Sequence, residues 1–233
     1  MASTLANTKP RIAVAGAGSL GLPVILALLD AGYPVTILSR SSSPRKEGIP
    51  ADRNVAYATV DYTSVESLKQ ALRGHVALPV FGYKVATQTK LEEVAAKNPG
   101  FSYSVVINGP FLDWGLATGF LLDPKAHSAT IFDGGDRKFS TTTLAGVAKA
   151  VVGIFSHLEQ TKNRFVFVHE AVVTQNQLIE LAKRRDPTGW KIQRASTEET
   201  KANCLATISK GNQNEIMGAM IGLIHAAVFG KRL

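Results

Sequence analysis

The sequence predicts an α/β fold, a parallel sheet doubly wound by helices, with a smaller α/β region towards the C-terminus. Three observations predict it. Apolar, β-branched runs alternate with helical patterns, a glycine triplet joins the first run to the first helix, and 45% of the 233 residues are hydrophobic against 19% charged, enough to bury a core.

The elements follow in order. Residues 11–17 (RIAVAGA) read as a strand closed by glycines, and 19–31 as a buried helix stopped by Gly32. Residues 34–39 (PVTILS) and 54–62 (NVAYATVDY) read as strands, and Thr63 with Glu66 forms a capping box that starts a helix reaching about Arg73. The order then falters: only residues 74–82 separate this helix from the next, 83–98, and their strand-like piece HVALPV is interrupted by Pro79. Beyond it come a strand at 102–108, a loop region at 109–127, a strand at 130–133 and a helix at 143–157 capped by the run 140–143. A strand at 164–169, a helix at 175–185 behind a Thr174 cap, and a short strand at 191–194 follow. Ser196 and Glu199 form a second capping box, so 197–209 is expected to be helical, as is 214–229. The division drawn from this pattern is a sheet-forming core at 1–110, shortened between 73 and 84, and a second region at 111–233.

The net charge of +8 raises the question of nucleic acid, but the basic groups are spread along the chain. Lys183, Arg184 and Arg185 form the densest cluster, so neither nucleic-acid binding nor an anionic membrane is expected. Cys204 is the one cysteine, which excludes an internal disulfide and a thiolate metal site, and the five histidines show no metal spacing. Residues 1–10 lack an apolar core, and the apolar stretches 20–29 and 216–229 are too short to span a bilayer, so a cytoplasmic location is expected.

Gly16, Gly18 and Gly21 in GAGSLG spell G-x-G-x-x-G after a strand and before a helix. One glycine serves the turn, one the approach of backbone to a pyrophosphate, and one the packing of helix on strand. With Ser19 and Leu20 they present helix N-terminal amides to a phosphate. The second strand ends Leu38, Ser39, Arg40, where a carboxylate would serve a ribose 2′-hydroxyl; Ser39 and Arg40 point instead to a 2′-phosphate, hence NADP(H). Ser41, Arg45 and Lys46 offer further donors to that phosphate, with a solvated basic loop as the favoured alternative for the last two. Residues 17–21 also fit A-x-S-x-G, a variant of the hydrolase nucleophile elbow, but His169 and Glu170 are adjacent and in the wrong order to complete a triad.

With GAGSLG, ILSR, VDYTSVESLKQAL, FGYKVATQTKLEEVAAKNPGFSYSVVINGPFLDWG and FDGGDRKFSTTTLAGVAKAVVGIF in hand, the sequence resembles the NmrA-like and isoflavone-reductase-like branch of atypical short-chain dehydrogenases, particularly its fungal members, over nearly its whole length. The resemblance implies a Rossmann-like fold. It also implies either NADP-dependent reduction of a small aromatic or secondary-metabolite substrate, or a non-catalytic role, as a dinucleotide sensor that regulates a protein partner or as a shortened, catalytically dead relative. No tyrosine has a lysine four residues on, so the dehydrogenase Y-x-x-x-K acid is missing. In the resembled reductases a lysine that begins the helix after the central sheet polarises substrate or relays a proton, and Lys84 matches it by its spacing to Glu92 and to NGPF. Such a lysine needs a pKa below its ordinary value, which burial beside a cofactor supplies; the alternative for Lys84 is a surface residue of the helix's first turn.

Asn108, Gly109, Pro110 and Phe111 follow a strand's carboxyl end and look like a pocket wall at the nicotinamide. Two readings stand for Phe111 and Trp114, stacking on a substrate ring or packing in the core. Asp133 and Asp136 in FDGGD read as a turn. Against the family, a strand–helix–strand unit is gone between Arg73 and Phe81, which is expected to leave the edge of strand one unpaired unless another strand slides in or the chain associates as a homodimer. Strand 102–108 is the candidate for that slot, being preceded by a crossover helix. Members also continue where this chain stops, so helix 216–229 is expected to lack part of its cover.

Overall fold

The computed structural model describes residues 9–40, 47–50, 53, 55–61, 64, 67, 75–78, 84–210 and 213–230, with side chains left undescribed at 75–78, 84–87 and 213–214. The helix expected from the Thr63–Glu66 capping box lies outside the described residues apart from Ser67, which is helical. Contacts divide the chain into two compact units, Met1–Val106 with Leu144–Val166, and Ile107–Thr143 with Phe167–Leu233. A boundary at residue 110 separates neighbours in sequence; in space, 144–166 rejoins the first unit.

The first unit is built on a four-stranded sheet. Strands β1 (Arg11–Ala15), β2 (Val35–Ser39), β3 (Val55–Thr59) and β4 (His75–Leu78) lie in the order β3-β2-β1-β4, with all three pairings parallel. This is the parallel, Rossmann-like arrangement expected. Helix α1 (Gly21–Asp30) packs on α4 (Leu144–Ser156), and the ring centroids of Tyr33 and Phe155 lie 6.0 Å apart beside them. Ile12, Val14, Val24, Ile25 and Leu28 are sealed from solvent, which is why residues 11–15 and 21–30 read as apolar on nearly every face.

One expectation is corrected here. The free edge of β1 is filled by HVAL itself, with Arg11 opposite His75 and Val14 opposite Leu78. Strand β5 (Ser104–Ile107), the expected occupant, pairs instead with β8 (Arg164–Phe167). The physical reason is length: parallel pairing asks only for a short unbroken run, and four residues ahead of Pro79 suffice to satisfy the β1 edge. Helix α2 (Lys84–Lys97) then precedes β5.

The second unit holds α3 (Leu112–Ala117), inside the stretch read as loop; β6 (Ser128–Phe132), paired in parallel with β10 (Lys191–Ala195); and β7 (Phe139–Thr141), antiparallel to β9 (Ala171–Val173). Strands β7 and β9 and the one-turn helix α5 (Leu158–Thr161) of the first unit are too short to leave a periodicity. Helices α6 (Gln175–Arg185), α7 (Thr197–Ser209) and α8 (Gln213–Phe229) complete the unit. The Thr174–Gln177 capping box forms with both bonds; at Ser196 the side chain accepts from the Glu199 amide. FDGGD is a turn, and it also holds α7: the Asp133 carboxylate accepts the Thr197 N–H at 3.0 Å and the Thr197 hydroxyl. The outer face of α8 is exposed through Met217, Met220, Ile221 and Ile224.

His225 on α8 stacks on Phe120 at 4.3 Å between ring centroids and donates from Nε2 to the Phe120 carbonyl at 2.9 Å. Burial pushes its pKa below the ordinary 6.5, outweighing that hydrogen bond. The folded state therefore keeps His225 neutral while the unfolded chain takes the proton, so stability is full above the unfolded value and falls as pH drops below it. Lowering the pH from about 7.5 to about 5.5 is expected to reduce the unfolding midpoint of wild type more than that of His225→Phe, read by thermal melts.

Candidate functional site

The glycine loop sits where β1 meets α1. Gly16 has φ +92°, a left-handed conformation that glycine adopts without a Cβ penalty, and its N–H donates to the Leu38 carbonyl at 3.2 Å. That bond, continuing the Ala15–Leu38 register, sets the loop beside the end of β2. A Cβ on Gly18 would meet nothing within 4 Å, whereas one on Gly21 would collide with the Gly16 carbonyl. The loop thus has an open side at Gly18 and a closed side at Gly21, where helix meets strand.

Helix α1 starts without a side-chain cap and without an acidic residue in its first turn. Its first backbone bond runs from the Leu22 N–H to the Gly18 carbonyl at 2.9 Å, leaving the amides of Ser19, Leu20 and Gly21 ahead of the ladder. Pro23 falls in the first turn, where no N–H is needed. Uncapped amides at a positive dipole end, with Gly18 open above them, fit the pyrophosphate of a dinucleotide.

Ser39 and the exposed Arg40 leave the sheet at the same carboxyl edge, and the Val60 N–H donates to the Ser39 carbonyl at 2.8 Å, which brings Asp61 to that edge as well. Sequence reasoning passed over Asp61; its position after a strand is the signal that could have found it. The structure therefore brings together Gly16, Gly18, Ser19, Leu20, Gly21, Ser39 and Arg40 on one edge of the first unit. Lys84 opens α2 as its first residue, and its side chain lies outside the described ones. Among the described residues no cluster of His, Cys, Asp or Glu could hold a metal ion, and no helix is long and apolar enough to cross a membrane.

Asn108, Gly109, Pro110, Phe111 and Trp114 belong to the second unit. Gly109 has φ +64°, and a Cβ there would collide with the Ser140 carbonyl, so this turn lies directly against β7. The Asn108 Nδ2 donates to the Gly109 carbonyl at 2.7 Å. Phe111 precedes α3 and is half-buried, while Trp114 remains 38% exposed with its ring 6.0 Å from Phe120. Two buried threonines that the sequence offered only as helix caps hold the turn: Thr141 donates to the Pro110 carbonyl at 2.7 Å and Thr142 to the Asn108 carbonyl at 2.8 Å. Glu170 accepts the Thr143 N–H at 2.6 Å, a role at the start of α4 rather than in a triad.

No protein-family model matches the chain. The sequence is 28% identical to the oxidoreductase poxI of Penicillium oxalicum over an alignment of 256 positions, covering 89% of this chain and 77% of that protein. It is 26% identical to the oxidoreductase aprR of Aspergillus flavus over 242 residues, covering 86% and 82%. Isoflavone reductase superposes with a TM-score of 0.68 at 17% identity, covering 97% of this chain and 91% of that one. Leucoanthocyanidin reductase from Vitis vinifera, solved with NADPH, gives 0.69 at 14% identity over 93% and 85%. AtPrR2, solved with NADP+ and (+)-pinoresinol, gives 0.67 at 16% identity over 97% and 91%. The expected likeness to isoflavone-reductase-like proteins is borne out in the fold.

Proposed function

We propose that this chain, whose fold is that of isoflavone reductase and other NADP(H)-binding reductases and whose sequence relatives are fungal oxidoreductases, is an NADPH-dependent reductase of a small aromatic or secondary-metabolite substrate. The observation that carries the reading is the glycine loop, open at Gly18 above uncapped helix amides and set beside Arg40. Bound NADPH supplies a hydride. Gly18, Ser19, Leu20 and Gly21 would hold its pyrophosphate by backbone N–H groups, with Gly16, whose N–H is spent on the Leu38 carbonyl, shaping the turn, and Ser39 and Arg40 would hold the 2′-phosphate, Arg40 by charge-assisted hydrogen bonds. Lys84, by its match to the family's lysine, passes a proton from Nζ to the substrate oxygen that gains charge as the hydride arrives. Asn108, Gly109, Pro110, Phe111 and Trp114 form the substrate wall, with Trp114 offering an aromatic face.

The second reading, a non-catalytic dinucleotide sensor, is favoured by the shortening between residues 73 and 84, and it keeps the same cofactor residues. Calorimetric titration with NADPH and NADH separates the outcomes. Arg40→Ala is expected to weaken NADPH about 10- to 100-fold and NADH little, as for loss of a charge-assisted contact. Lys84→Ala is expected to bind NADPH as wild type does and to lose turnover. Wild type that binds NADPH but reduces no aromatic acceptor supports the sensor, and absence of binding to either cofactor overturns both readings.

A further inference from the structure

The turn after β5 is held by a single side chain more than by its own sequence. Thr142, 2% exposed, donates its hydroxyl to the Asn108 carbonyl at 2.8 Å, and the Val168 carbonyl lies 3.2 Å from the same oxygen. Its backbone completes the hold: the Thr142 N–H donates to the Pro110 carbonyl at 3.3 Å, and its carbonyl accepts the Leu112 N–H at 3.0 Å. Thr141, fully buried, adds the bond from its hydroxyl to the same Pro110 carbonyl. Every peptide from Asn108 to Leu112 therefore touches Thr141, Thr142 or, at Gly109, the backbone of Ser140. The run STTT, 140–143, serves as a template for the turn rather than as a simple helix cap.

We infer that Thr142 is the positioning residue of the substrate wall, fixing the turn 108–111 and the start of α3 and thereby setting how tightly the aromatic substrate is held. The inference rests on the reductase reading above. Thr142 touches neither substrate nor cofactor in this account; it acts through Asn108, Pro110 and Phe111. Losing its hydroxyl leaves the half-buried Asn108 carbonyl without that donor, and the turn shifts by the fraction of an ångström that such sites do not tolerate.

The test uses the full chain as wild type, Thr142→Val, Thr142→Ser and Gly109→Ala, the last displacing the same turn through a collision with Ser140. Thermal melts and NADPH affinity are measured for each, followed by steady-state NADPH oxidation with 1,4-naphthoquinone or (+)-pinoresinol, whichever wild type reduces. Thr142→Val and Gly109→Ala are expected to raise KM for the acceptor about tenfold at unchanged NADPH affinity and nearly unchanged kcat, the size of one lost buried hydrogen bond. Thr142→Ser, which keeps the hydroxyl, is expected to restore wild-type KM. A valine variant with wild-type KM overturns the inference alone, as does a rise in KM that comes with a parallel loss of NADPH affinity, the mark of a merely structural role. If Thr142→Val does not fold, Thr142→Ala, which removes the same hydroxyl, decides by the same KM. Wild type that fails to bind NADPH or to reduce either acceptor overturns the reductase reading, and the inference with it.

Discussion

Gly18→Ala is expected to melt at the wild-type temperature and to lose NADPH affinity at least about tenfold, because the new methyl occupies only open space in the protein and that space is the approach to the helix amides. Its backbone has none of the left-handed strain of Gly16, so alanine fits without a conformational cost. Gly21→Ala is expected to behave in the opposite order. Its Cβ would collide with the Gly16 carbonyl and lie 3.1 Å from the carbonyl carbon, both backbone atoms in the turn that starts α1. Neither can move without prising the helix from β1, so about 2–4 kcal/mol of stability is lost along with binding. The pair of variants separates a phosphate loop from a turn that is glycine-rich for packing alone. Wild-type NADPH affinity in a folded Gly18→Ala protein would sink the cofactor assignment, whatever Gly21→Ala does.

The largest expected effect on stability falls at Phe229. Its side chain is 2% exposed, stacked on Phe132 at 5.6 Å with an 11° interplanar angle, edge-on to Phe139 at 5.2 Å, and 5.8 Å from His225. It closes the core cluster of the second unit formed by Leu121, Leu122, Ile131, Phe132, Leu178 and Ile179. Truncation removes the apolar burial and the aromatic contacts and leaves a cavity among rings that cannot collapse into it. Phe229→Ala is therefore expected to cost about 3–5 kcal/mol in denaturant unfolding, and Phe229→Leu less than half as much. A loss below about 1 kcal/mol would show that the end of α8 does not pack as the geometry requires.

Much of the fold was legible because its signals are local. The strands at 11–15 and 35–39, the helices at 21–30, 175–185 and 197–209, and the caps at Thr174 and Ser196 follow from hydrophobic period and side-chain chemistry within a few residues. The glycine loop was legible for the same reason: a turn at φ +92° and a helix crowded against it ask for glycine at defined spacing. Arg40 is read from its place at the end of a strand, and Asp61, after β3, reaches the same edge by the same geometry.

The sequence by itself thus determined the alternation of strands and helices, the glycine loop between β1 and α1, and the placement of a cation rather than a carboxylate after β2. Tertiary structure alone decided which strand completes β1, since His75–Leu78 and Ser104–Ile107 are both short apolar runs and hydrogen-bonding edges do not mark their partners in the chain. It alone decided that Thr141 and Thr142 bind a turn some 30 residues earlier, and that Phe229 completes a cluster with Phe132 and Phe139. The physical reason is common to all three: a hydroxyl or a ring carries no record of its distant acceptor or neighbour, and only the packed chain brings them together.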